Sequence, residues 1–372
     1  MNRYFFYNYF IVCFTNLMLL IPYFLTADRY GGAVMSIVLS PIFGYIFLYM
    51  FTSSLSKFPG KALPEIFSLF YPKWIVNIVM VYKAVLIGIA GALVISTYAV
   101  IITSFLNPNA NQYVMLMLLL IVCAYAATRS TVSIAFILEI SLLLSLPVIA
   151  FVMYKTINNP LMNWDAIHVI ANHVDHMPTL LSFACASFVF TGYLNMGLFN
   201  RILPPNFKFK YIWSYPIIAF IVLVITFFVP IGIHGTETVS QYIFLWSATA
   251  DSTRMMYGFI ERMLFVFLIV LINISLTFTM VGWHMVIEYI RTIIPNNVVN
   301  PDEKKAPLRS YIIAGCIIII TFVTMLKVTD DLMLKFTAYF LIFRLFSETL
   351  TTTWIFILSR KKVRKYEKEA AS

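Results

Sequence analysis

Four ionisable side chains stand inside long apolar runs of this 372-residue chain: Lys83, Glu139, Arg344 and Glu348. A charge in hydrocarbon is costly, so such residues pair, face a cavity, or carry protons and ions. At a helical rise of 1.5 Å per residue, Lys83, Glu139 and Glu348 fall roughly 11–15 Å from one end of their segments, and Arg344 lies one turn further. Opposite charges at similar depth favour pairing, Lys83 with Glu139 among them. Arg344 and Glu348 are also spaced i, i+4, on one helix face. Two chemistries follow: an ion-pair cluster that locks half of a bundle, or a proton or gating relay. Glu261 and Arg262 sit nearer the end of another apolar run.

A second set of residues could grip a solute through the backbone. The first apolar run carries Thr15-Asn16 at mid-depth and Pro22 beyond. Proline removes a backbone hydrogen bond and distorts the preceding turn. The sixth run carries Gly192, Asn195 and Gly197 around Tyr193, again near mid-depth. A helix opened at these points would present N–H groups at one half-helix end and C=O groups at the other, which suit a small zwitterion. The plainer reading is that glycine admits a neighbouring helix and asparagine makes one interhelical hydrogen bond. Specificity would come from the small-residue stretch Gly88, Ala90, Gly91 and Ala92 and the polar stripe Asn273, Ser275 and Thr277.

The elements that must carry these residues are set by composition. Of the chain, 61% is hydrophobic and 11% charged, and the mean hydropathy is +0.88. Soluble domains carry about 25% charged residues. A soluble enzyme, a nucleic-acid binder and a disordered chain are excluded. The apolar runs approach the roughly 20 residues that cross a bilayer. Ten spans are expected, at 4–25, 34–53, 74–104, 112–128, 132–154, 179–200, 211–233, 257–290, 310–327 and 334–358. With both termini on one side, 18 of the 26 Lys and Arg residues fall in segments on that side and 5 on the other. The positive-inside rule then makes both termini cytoplasmic. Residues 155–178 and 234–256 read as short surface helices and 291–309 as a loop. The tail 359–372 reads as a basic cytoplasmic end resting on anionic head groups. Ten spans divide into two sets of five, about 4–154 and 179–358, an all-α inverted repeat in one membrane domain over 1–358.

Other chemistry is weakly signalled. Cys13, Cys123, Cys185 and Cys316 lie in apolar runs without C-x-x-C spacing and read as buried thiols. His168, His173 and His176, near Asp165 and Asp175, could face a metal on one helix, but a solvated loop is the simpler reading, so no metal is expected. No cofactor is expected either. The chain has no phosphate-binding loop, H-E-x-x-H or G-x-S-x-G. The first run has no cleavage site after it and is expected to stay as an anchor.

Three segments carry a resemblance. FPGKALPEI at 58–66 resembles a Pro-Gly-Lys-x-hydrophobic-x-Glu pattern, MPTLLSFACASFVFTGYLNMG at 177–197 a sixth-span start, and IERMLFVFLIVLINIS at 260–275 an eighth-span Glu-Arg start. Together they resemble the B subunit of GerA-type spore germinant receptors, a GerAB-like permease branch of the amino acid–polyamine–organocation transporter superfamily. The resemblance implies a five-plus-five inverted-repeat fold of the LeuT-like kind. It implies a non-enzymatic subunit that binds a nutrient germinant, often an amino acid or nucleoside, between spans one, three, six and eight. By position that pocket would include Thr15, Asn16, Leu17, Thr191, Gly192 and Tyr193. Many relatives have glycines where this chain has Thr15-Asn16. An A-type membrane subunit and a C-type lipoprotein in the spore inner membrane are the implied partners. The rival expectation is an autonomous secondary amino acid transporter coupled to a proton or sodium ion.

Overall fold

The structure is a computed structural model that describes residues 2–17, 19–204, 207–254, 261–294 and 307–371, with the backbone alone at 2 and 362–371. In lipid every backbone N–H and C=O must be satisfied within its own segment, so long apolar runs become helices. Among the described residues no strand forms. The chain opens with α1 (Asn2–Phe14), a 3-10 turn over Thr15–Leu17, and α2 (Ile21–Ala27). There follow α3 (Ala33–Leu55), the short α4 (Leu63–Ser68), α5 (Lys73–Phe105), α6 (Gln112–Ala127) and α7 (Thr131–Ile157). A connecting helix, α8 (Trp164–Ala171), leads to α9 (Leu180–Phe188) and α10 (Met196–Phe199), which flank a 3-10 stretch over Thr191–Asn195. The rest is α11 (Ser214–His234), α12 (Leu245–Asp251), α13 (Met263–Ile293), α14 (Leu308–Met325) and α15 (Asp330–Ala371).

Seven of these helices, α3, α5, α7, α11, α13, α14 and α15, are long and apolar enough to cross a membrane. Two bent pairs raise the number to nine if each is one span: Arg3–Leu17 with Ile21–Ala27 at 53°, and Leu180–Phe188 with Thr191–Ile202 at 61°. α6 is apolar but has 16 residues, just short of the roughly 17–25 that span hydrocarbon. All ten expected segments thus coincide with helix. The expected start of the eighth, at 257, and most of the 291–309 connection fall outside the described residues.

Three differences have physical reasons. The last helix continues through Ala371, so the expected separate tail is helical; its Arg, Lys, Glu and Ala residues are all strong helix formers. Cys316 is exposed on α14, while Cys13, Cys123 and Cys185 are buried as expected. α4 was not anticipated. It starts after the positive-φ Gly60, has Pro64 in its first turn, and its Glu65 Oε2 accepts the Ala62 N–H at 2.5 Å.

α13 and α5 form the centre, sharing their most extensive interface with each other. The apolar window of α5 is 67% buried, against 17% for α14 at the rim. The outer surface is apolar too: Ile42 and Ile46 on α3, Leu143 and Leu144 on α7, and Ile319 and Ile320 on α14 are all exposed. Soluble monomers rarely expose contiguous apolar patches beyond a few hundred Å². A lipid bilayer covers such a surface without cost.

Candidate functional site

The two helix breaks lie against each other. The first follows from Pro22 in the opening turn of α2 and from Leu20, held in the left-handed region at φ 58°. That conformation costs a leucine on the order of 1–3 kcal/mol. Thr15 Oγ1 donates to Ile11 O at 2.6 Å and takes up a carbonyl that the ended helix leaves free. The second break is set by Gly192. A Cβ there would lie 2.2 Å from Tyr9 O, so only glycine lets α1 approach this closely. Asn195 Nδ2 ties the crossing by donating to Asn8 O at 3.2 Å.

Each break faces a different cavity. Asn16 and Leu17 line a small one of about 20 Å³ with Trp246, Phe267 and Leu271. The Asn16 amide is fully buried and has no hydrogen-bond partner among the described residues. By volume that void has room for one water at most, which needs roughly 10–15 Å³ of free space. The second cavity is about 120 Å³ and lies between α1, α4, α5, the Thr191–Asn195 stretch, α13 and α15. Its walls include Thr191, Asn195, Ala90 and Phe278, and also Lys83, Arg344, Ser347 and Glu348.

Three of the four expected intramembrane charges therefore meet at this cavity, which unites two features that looked separate in the sequence. Arg344 Nη1 donates to Glu348 Oε2 at 2.8 Å, and Tyr193 donates its hydroxyl to Glu348 Oε1 at 2.5 Å. Arg344 Nη2 reaches Ala184 O at 3.2 Å, and the guanidinium lies over the Phe188 ring. Lys83 Nζ donates to Ser347 Oγ at 3.2 Å. Lys83, Arg344 and Glu348 are all buried, Glu348 to 2% exposure. Burial at this level makes such a cluster strongly dependent on complete pairing.

Glu139 is elsewhere, and the expected Lys83–Glu139 pair does not form. Glu139 on α7 pairs with Arg3 at 3.1 Å. Lys83 faces α15, whereas α7 packs on α1 and α13, so equal depth did not mean proximity. The Arg3 side chain is 54% exposed and that of Glu139 16%. A double-mutant cycle of Arg3→Ala and Glu139→Ala should give a coupling below about 1 kcal/mol. Lys83→Ala with Glu139→Ala should give none.

Six of the nine expected ligand contacts line neither cavity: Thr15, Gly192 and Tyr193 at the breaks, and Gly88, Gly91 and Asn273. The missing side chain of Gly91 makes room for the Trp283 indole, whose Nε1 would be 2.6 Å from a Cβ there and donates to Gly88 O. Thr279 Oγ1 donates to Gly91 O at 3.2 Å. Gly88 and Gly91 thus serve the α5–α13 interface. Asn273 donates to Ser141 O and Ser145 Oγ, and Thr277 bonds Ser141 Oγ, so these two tie α13 to α7, while Ser275 donates to Leu271 O within α13. Among the described residues no group of His, Cys, Asp or Glu could hold a metal; His176 pairs with Asp175, and His173 bonds Val169 O.

A second charged network lies at the α4 end of the cavity and was missed in the sequence. Arg201 pairs with Glu65 at 2.5 Å and with Glu288 at 3.2 Å, and Arg291 pairs with Glu288 at 2.8 Å. Asn200 Nδ2 donates to Phe58 O and Lys61 O. Leu63 and Tyr289 line the cavity and hold Gly197 between them. The i, i+3 spacing of Glu288 and Arg291 was a usable signal; the partnership with Arg201 and Glu65 was not.

A helical bundle with an apolar rim and helices long enough to span a bilayer defines an integral membrane protein, with two broken helices in contact and a buried charged cavity beside them. The chain belongs to the spore germination protein family, whose profile matches residues 9–332. No curated protein sequence matches it.

Proposed function

We propose that this chain is the germinant-binding subunit of a spore nutrient receptor. A small nutrient, an amino acid or a nucleoside, enters the cavity between α1, α5, the Thr191–Asn195 stretch, α13 and α15. The bundle has ten spans in two inverted sets of five, with α6 as one of them and both termini cytoplasmic. Binding favours one arrangement of the broken helices and passes the change to an A-type membrane subunit and a C-type lipoprotein in the spore inner membrane. A ligand can do this only through different affinity for the two arrangements. The observation that carries the proposal is the 120 Å³ cavity at the second helix break, lined by Thr191, Asn195 and the buried charges. The family match supports the germination role.

The test uses a strain whose only nutrient receptor contains this subunit, screened against amino acids, nucleosides and sugars. Ala90→Phe fills the cavity and should abolish the response while the protein stays in the membrane. Gly88→Ala should respond normally, because a Cβ there meets only Val286 Cγ2, at 3.7 Å. A normal response in Ala90→Phe overturns the assignment of the site. Concentrative uptake by the purified protein alone in proteoliposomes would make it an autonomous secondary transporter instead.

A further inference from the structure

We infer that the larger cavity holds a small monovalent anion, a carboxylate or a halide, between Lys83 and Arg344. The inference rests on the reading of this cavity as a solute site and adds the charge its occupant must carry. The titratable groups that line it are Lys83 from α5, Tyr289 from α13, and Arg344 and Glu348 from α15. α1, α4 and the Thr191–Asn195 stretch bring no charged side chain to it. Two cations therefore face one carboxylate, and one positive charge is left without a counter-charge in a buried, low-dielectric site. Such a charge is expensive unless something neutralises it.

The donors tell the same story. Both Arg344 Nη atoms are used, on Glu348, Ala184 O and Ser187 Oγ, but its Nε is buried with no hydrogen-bond partner among the described residues. The Lys83 ammonium has three donors. Among the described residues its hydrogen bonds go to Ser347 alone, at 3.2 Å to Oγ and 3.5 Å to O. The Lys83 ammonium thus keeps unfilled donors at the cavity, with the unpartnered Arg344 Nε buried beside it, and an unmade bond from a buried charged group is costly. A halide or a carboxylate oxygen accepts from the Lys83 ammonium and, with the Arg344 guanidinium beside it, cancels the excess charge. A neutral sugar or a cation does neither.

The experiment uses the purified full chain in lipid nanodiscs. Thermal unfolding is followed while chloride, bromide or acetate replaces methanesulfonate at fixed pH and ionic strength. A saturable rise in Tm is expected. Lys83→Met should weaken the apparent affinity about tenfold or more, and Lys83→Arg should keep it. Glu348→Gln removes the competing carboxylate while its amide oxygen still accepts from Tyr193, so it should bind the anion about tenfold more tightly. A purely structural cluster would lower Tm in both variants and leave the anion dependence unchanged. If chloride competes with an active nutrient, the nutrient's own carboxylate is the anion. If the two bind together, the anion is an inorganic co-ligand. No saturable dependence on any of these anions, or an unchanged one in Lys83→Met, overturns the inference. In that event a germination response lost in Ala90→Phe would leave the nutrient site standing. An anion effect beside a normal response in Ala90→Phe would instead remove the nutrient reading and keep the anion.

Discussion

Arg344→Gln is expected to weaken the folded bundle by about 3–5 kcal/mol, the range for removing one partner of a buried ion pair. The reason is the carboxylate left behind. Glu348 is 2% exposed and takes one hydrogen bond from Tyr193 and one from Arg344, so without the guanidinium it keeps its charge but loses its one direct ionic partner, because Lys83 bonds Ser347 and not the carboxylate. Replacing both partners by apolar residues of similar size, as in Arg344→Met with Glu348→Leu, should recover most of the loss, because such pairs break even against well-packed apolar groups. Equilibrium unfolding in mixed micelles measures both. Both forms should fail to respond to nutrient, which separates the stability of the cluster from its use. A loss under about 1 kcal/mol in the single variant would mean that the pair is solvated and that the site is open.

What the sequence revealed and what it hid divide along a physical line. Where the helices and their breaks fall along the chain was legible. Apolar runs gave the helices, and Pro22 and Gly192 marked both breaks, because a missing N–H distorts its own turn and a missing Cβ is what another backbone's close approach requires. Direction around each helix was not. Lipid outside is as apolar as the packed core, so α3 and α5 carry apolar residues on every face and no stripe marks the inner one. This is why Lys83 and Glu139, expected at similar depth, were expected to meet and instead bond Ser347 and Arg3. The same blindness made Gly88 and Gly91 look like ligand contacts. Small residues serve a ligand or a neighbouring tryptophan equally well, and only the position of Trp283 decides between them.

Arg201→Ala is the second large effect expected. Arg201 joins Glu65 on α4 to Glu288 on α13, and both the Arg201 and Glu288 side chains are 5% exposed. Its loss should cost about 3 kcal/mol, the low end for a broken buried pair, because Arg291 still holds Glu288. The functional consequence is specific. The network, with Asn200 on the Phe58 and Lys61 carbonyls, fastens the Pro59-Gly60-Lys61 turn and α4 against the end of the second broken helix. Leu63 on α4 and Tyr289 are then the wall between that end and the cavity. Loosening the turn should open the cavity there, and every 1.4 kcal/mol lost by the closed form alone raises the open population about tenfold. A Thr351→Cys probe on the cavity wall, with exposed Cys316 replaced by serine, reads this directly. A membrane-impermeant thiol reagent on the Arg201 side should label it at least about tenfold faster in Arg201→Ala. Unchanged labelling would mean that Leu63 and Tyr289 close that end by packing alone, with the charged network as reinforcement only.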